Sequence, residues 1–176
     1  DDGPSISLAD VQTPALVVDE TDLAANDTAD FSGVFAPVFG ADGGSVAYGL
    51  GISDAGVDSG LVDTATDEAV LLTMNGDVVE GRTETSDALV FTVAVDADGE
   101  VSLDQVRAVV HGSADAETDT NEAATIDSGV LTLTATVTDG DLDTASTFID
   151  LGTAVSFLDD GPSISLADVQ TPALVV

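Results

Sequence analysis

Three carboxylates stand at alternate positions in Asp139-Gly140-Asp141-Leu142-Asp143, with a glycine that lets the backbone fold around an ion. Calcium takes about six to eight oxygens at roughly 2.3–2.6 Å, and a D-x-D-x-D turn supplies several of them from one short stretch. The stretch departs from an EF-hand, because Thr144 stands where glycine belongs at the sixth position and Asp150 replaces glutamate at the twelfth. It is therefore expected to be a loop between two strands that holds a metal.

Asp96-Ala97-Asp98-Gly99-Glu100 repeats the spacing, making Asp96, Asp98 and Glu100 further metal candidates. An ordinary Asp-Gly hairpin turn accounts for the same letters without an ion. Asp115, Glu117, Asp119 and Asn121 continue the alternation, either as a solvated acidic loop or as part of a cage. Asp159-Asp160-Gly161-Pro162 recurs as Asp1-Asp2-Gly3-Pro4. Proline biases the residue before it toward extended backbone, and two adjacent Asp repel unless neutralised. A cation at that joint would explain both features, its cage completed by Asp19, Glu20 and Asp22 of the next unit or by the Asp139 loop of the previous one. A flexible charged linker is the alternative.

Nucleophilic catalysis has little to draw on. His111 is the only histidine, there is no cysteine, and the single Tyr and six Phe offer few platforms for a sugar cleft. His111 is read as structural, Arg82 and Arg107 as local ion-pair partners, and the chain as no enzyme.

The whole sequence is acidic, with 34 Asp and Glu against 2 Lys and Arg and a formal net charge of -32. Such a surface repels nucleic-acid phosphates and anionic lipid headgroups, so neither nucleic acid nor direct membrane insertion is expected, and cations are the natural partners. The acid is 27 Asp to 7 Glu, which favours turns and oxygen cages over helices. Without cysteine there is no disulfide to staple the fold, and calcium is the expected substitute. No signal peptide opens the sequence, and no apolar run reaches the length of a membrane span.

Residues 1–18, DDGPSISLADVQTPALVV, recur unchanged as residues 159–176. Identity over that length reads as tandem duplication, with residues 1–158 one full unit and 159–176 the start of the next. A period of 158 residues suits independent domains on a string better than a solenoid turn. Neighbouring repeats of the same chain are then the partners, and an isolated unit is expected to be a monomer.

The elements that must position these carboxylates are strands. In residues 129–138, Leu131, Leu133, Ala135 and Val137 alternate with Thr132, Thr134, Thr136 and Thr138, the pattern of a half-buried strand with a threonine outer face. Further strands are expected at Ser45–Ile52, Val70–Met74, Ala88–Val95, Val101–Val110 with a kink near Asp104, Thr144–Leu151 and Ala154–Leu158. Turn clusters such as Ala41-Asp42-Gly43-Gly44, Asn75-Gly76-Asp77 and Asp139-Gly140-Asp141 separate them. Asp19–Asp30 is the least strand-like stretch, a loop or a short helical turn capped by Thr21 or Asp22. The expected fold is all-β, an antiparallel β-sandwich of immunoglobulin-like architecture, stabilised by calcium.

The sequence resembles the large repeats of RTX-type adhesins exported by type I secretion in Gram-negative bacteria. The resemblance rests on Leu89–Val93 followed by Asp98-Gly99-Glu100, on Ala108–Gly112, on Leu131–Asp141 and on Phe157–Ile164. It implies an extracellular, cell-surface protein whose repeats act as calcium-rigidified extenders, holding a terminal binding region away from the cell for biofilm or surface attachment. It favours Asp139, Asp141, Asp143, Asp159 and Asp160 as calcium ligands. The GGxGxDxUx nonapeptides of the RTX group are absent, as an extender region would have it.

Two other readings compete. The unit could bind a ligand such as sugar, ice or protein, for which several parallel threonine ladders on one flat face would be the sign. The acidity could alternatively serve solubility at high salt, but that should scatter Asp and Glu evenly instead of gathering Asp in glycine-containing turns.

Overall fold

A computed structural model describes residues 3–112 and 123–159 of the chain. Asp1, Asp2, Asp160 and the acidic alternation from Asp115 to Asn121 lie outside the described residues.

The fold is all-β, with fourteen strands among the described residues in a curled, predominantly antiparallel sandwich. One layer is a six-stranded sheet ordered β3 (Asp27–Asp30), β10 (Glu100–Gln105), β9 (Leu89–Val95), β8 (Val78–Thr83), β7 (Ala69–Asn75) and β6 (Val57–Val62). Another runs β13 (Thr144–Asp150), β12 (Leu131–Asp139), β5 (Gly44–Ile52). Two smaller sheets close the remaining sides: β1 (Ser5–Leu8) with β4 (Phe35–Val38), and β11 (Ala123–Thr125), β14 (Val155–Leu158) and β2 (Leu16–Asp19).

Alternating apolar residues build the core. Leu131, Leu133, Ala135 and Val137 of β12 are wholly buried, and the first three share one hydrophobic cluster with Val70, Leu72, Val79, Val93, Val101 and Leu103 from the larger sheet. Phe91 and Phe157 meet at 5.2 Å between ring centroids, tilted by 53°, a favourable arrangement for two aromatic quadrupoles. The ring of Phe91 needs room that Gly81 supplies, since a Cβ there would stand 2.3 Å from Phe91 Cε1.

The threonine face of β12 is single. Its register sets Ser45, Ala47, Gly49 and Gly51 of β5 on one side and Thr144, Ser146, Phe148 and Asp150 of β13 on the other, so no second threonine ladder adjoins it.

Several elements differ from the sequence expectation. The strand expected over Val101–Val110 ends at Gln105; the amides of Val106 and Arg107 both donate to the Val90 carbonyl, and Val109 keeps only a single bridge to Asp63. The chain breaks there because Arg107 turns to Asp63 while Gln105, Val109 and His111 turn to Glu20. Within Asp19–Asp30 a 3-10 turn spans Glu20–Asp22, and its cap is Asp19 instead of Thr21 or Asp22, with β3 following. Pairing is not wholly antiparallel either, since β14 runs parallel to β2 with Val155 opposite Leu16 and Leu158 opposite Asp19.

Candidate metal centres

Two groups of side chains among the described residues bring three potential ligand atoms within 4.8 Å of one another: Asp139, Asp141 and Asp143, and Glu20, His111 and Asp159.

The first forms at the tight turn joining β12 to β13. Alternation along β12 turns Asp139 inward, where it is 6 % exposed. The Asp139 carboxylate accepts the Asp143 amide at 2.9 Å, and the Asp139 amide donates to the Asp143 carbonyl at 3.1 Å, which folds the loop back on itself. Leu142 takes the left-handed conformation at φ 74°, costly for a branched side chain, and stands 79 % exposed at the tip. Gly140 is required by its neighbour, because a Cβ there would stand 2.8 Å from Asp42 Cβ. The Asp141 carboxyl hydrogen-bonded to Asp139 pushes the Asp139 carboxyl above the usual carboxylate range, and burial adds to that. Carboxylates crowded in this way favour either a shared proton or a bound cation.

Gly3 lies beside this loop, since a Cβ there would stand 3.9 Å from Asp143 Oδ2.

The second group gathers where β14 ends. Glu20 Oε1 accepts from the Val109 amide at 2.7 Å and from Gln105 Nε2 at 3.0 Å, and lies 3.2 Å from His111 Nε2. The His111 side chain is 6 % exposed, yet its Nδ1 has no partner among the described residues, and neither does Gln105 Oε1. Asp159 completes the set. Carboxylate oxygens and an imidazole nitrogen can serve a divalent ion, although calcium prefers an all-oxygen shell.

The remaining candidates serve local structure. Asp19 accepts the Thr21 amide at 2.9 Å and binds its hydroxyl, which holds its carboxyl below the ordinary value, and Asp22 accepts the Ala24 amide at 3.0 Å. Asp96 accepts the Asp98 and Glu100 amides, both at 2.9 Å, around Gly99 at φ 89°. These bonds close the turn between β9 and β10. Asp98 and Glu100 join Asp30 and Asp96 only in lining an open acidic pocket. Beside it Tyr48, packed on Gly99 and on Phe35 at 5.9 Å, has its hydroxyl pushed up by burial and by Asp30 and Asp98.

Arg82 pairs with Glu80 at 2.6 Å and Arg107 with Asp63 at 2.8 Å, the local ion pairs expected of the only two cations. Sequence reasoning did not foresee that His111 would join Glu20 and Asp159. The spacing of 91 residues between Glu20 and His111 carries no local signal, and only the strand pairing brings them together.

A family model described as "Domain of unknown function (DUF5801)" matches residues 15–152. No curated protein and no solved structure matches the chain.

Proposed function

From the premise that the chain belongs to the DUF5801 family, we propose that it is a calcium-rigidified structural extender repeat of a long, RTX-type cell-surface adhesin. In this reading it is extracellular, has no catalytic role, and works with neighbouring copies of itself to project a terminal binding region.

One observation carries the reading: residues 159–176, which follow β14 in sequence, are identical to residues 1–18, which include β1 and the start of β2. In a tandem array Asp159-Asp160-Gly161 is at once the exit of one unit and the Asp1-Asp2-Gly3 of the next. Gly3 lies against Asp143, and Asp159 lies with Glu20 and His111. Each joint would then gather Glu20, Asp159 and Asp160 from one side and the Asp139 loop from the other. Unneutralised, those carboxylates repel and leave the joint loose; a divalent cation replaces repulsion by shared ligation. Millimolar extracellular calcium suits sites with a Kd of about 10⁻⁴–10⁻³ M.

The test is a thermal melt followed by circular dichroism, in excess EGTA and again in a few millimolar CaCl₂. A large rise in Tm with calcium supports the extender, and superposable melts overturn it. Small-angle scattering of a two-unit chain checks the joint separately: calcium should lengthen and stiffen it.

A further inference from the structure

Most edge strands in this domain carry a safeguard against pairing with another chain, such as a charge, a proline, a bulge or short length. β3 is four residues long with Asp at both ends, β4 contains Pro37, β6 shifts register between Asp58 and Val62, and β13 ends on Asp150. β5 has none of these. It reads Gly-Ser-Val-Ala-Tyr-Gly-Leu-Gly-Ile over nine residues, uncharged in a chain where 20 % of residues are charged, and its register with β12 is unbroken. On its other side no described strand pairs with it.

The hydrogen-bond pattern says which backbone groups are free. Just past the ladder the Ser53 amide donates to the Val130 carbonyl at 3.0 Å, while on the far side of β12 the Leu151 amide donates to Leu131 at 2.9 Å. Alternation in an antiparallel pair then gives the amides and carbonyls of Ser45, Ala47, Gly49 and Gly51 to β12. Those of Val46, Tyr48, Leu50 and Ile52 point to the open edge. The side chains of these same four residues pack against the core, so the edge offers backbone groups in a fixed row.

A groove runs along that row. Val46–Leu50 form one wall, and Asp77 from the β7–β8 turn, Val95 at the end of β9 and Asp96 and Ala97 from the β9–β10 turn form the other. Through Asp96 it opens into the acidic pocket of Asp30, Asp98 and Glu100. We propose that β5 is a strand-addition site for an extended cationic segment of another protein, which pairs with Val46–Ile52 and sets Lys or Arg side chains against Asp77 and Asp98.

Charge selects this occupant. A second copy of the chain brings another formal charge of -32 and an equally uncharged β5, so it is repelled at long range and gains no ion pair on contact. A basic extended segment gains the ladder bonds of strand addition and neutralises the rim together.

The test uses the full chain in calcium buffer and a short synthetic peptide that alternates lysine with valine. The expected result is exchange slowed by roughly tenfold at the Val46, Tyr48 and Leu50 amides, read by NMR hydrogen exchange. The same peptide N-methylated along one edge should lose the effect, and so should one with glutamate in place of lysine. Asp77→Asn should weaken binding without altering the fold. Equal protection by the methylated or acidic peptide, protection at another strand, protection that grows with protein concentration alone, or no protection at all overturns the proposal.

Discussion

Arg107 closes over Asp63 with two parallel hydrogen bonds, Nε to Oδ1 and Nη2 to Oδ2, both 2.8 Å long. The Asp63 side chain is wholly buried, whereas Arg107 keeps 31 % of its side chain in solvent. Thr66 adds its amide at 2.9 Å and its hydroxyl at 2.7 Å, so the carboxylate is satisfied on both oxygens.

That pair sets an acid limit on the fold. The Arg107 hydrogen bonds, with those of Thr66, outweigh burial and hold the Asp63 carboxyl down to about 2. A depressed carboxyl contributes stability that is present above its unfolded value near 4 and is lost as pH falls through about 2. Arg107→Gln removes the counter-charge from a buried carboxylate, so acid unfolding should move to higher pH, as a Tm series between pH 2 and 5 would record. Asp63→Ala should cost roughly 3 kcal/mol at neutral pH, the low end for breaking a buried pair because Arg107 regains water. An unchanged acid limb in Arg107→Gln would refute the assignment.

Charge removal at the β12–β13 loop should have opposite effects with and without the ion. In EGTA, Asp141→Asn relieves repulsion against the inward-facing Asp139, and Tm should rise by a few degrees. In millimolar calcium the same variant loses a ligand, so its Tm should fall below that of the parent chain. A variant that moves the same way in both buffers means the loop holds no calcium.

Gly81 and Phe91 form a packing pair whose tolerance is one-sided. Gly81→Ala drives a methyl into the Phe91 ring and should cost roughly 1–3 kcal/mol, a fall in Tm of about 2–4 °C per kcal/mol. Combining it with Phe91→Leu should recover part of that loss, because the shorter side chain leaves room for the methyl. Additive losses in the double variant would mean the clash is not the cause.

Glu20 ties the chain after β10 to the turn after β2. Glu20→Ala leaves the Val109 amide without its acceptor and takes from Gln105 Nε2 one of its two, the other being the Arg107 carbonyl, and should cost roughly 1–3 kcal/mol. Glu20→Gln, which keeps a carbonyl oxygen in place, should restore most of it. Hydrogen exchange at the Val109 amide reads the effect directly: fast in Glu20→Ala and slow in Glu20→Gln.

Legibility in the sequence followed the length of each apolar alternation. β12, with four buried apolar residues alternating with threonine, was readable almost to its ends, as were β5, β7, β9, β13 and β14. β2, β3 and β6 were not, because they are short and interrupted by Asp or by a buried Ser59 bonded to the Val70 carbonyl at 2.6 Å. The clustering of Asp139, Asp141 and Asp143 was legible because these carboxylates stand at alternate positions of one short turn. Glu20, His111 and Asp159 were not found as a set, since pairing across the fold brings them together and no spacing announces it.

The parallel contact of β2 with β14 has a mechanical consequence. Tension drawn through the domain pulls β2 back from its beginning at Leu16 and β14 forward from its end at Leu158, along the length of both strands. The ladder between them is loaded in shear, so its hydrogen bonds resist together instead of peeling apart one at a time. Force that has passed β1 and its pairing with β4 is thus met by β2 and β14 before it reaches the larger sheet around Phe91.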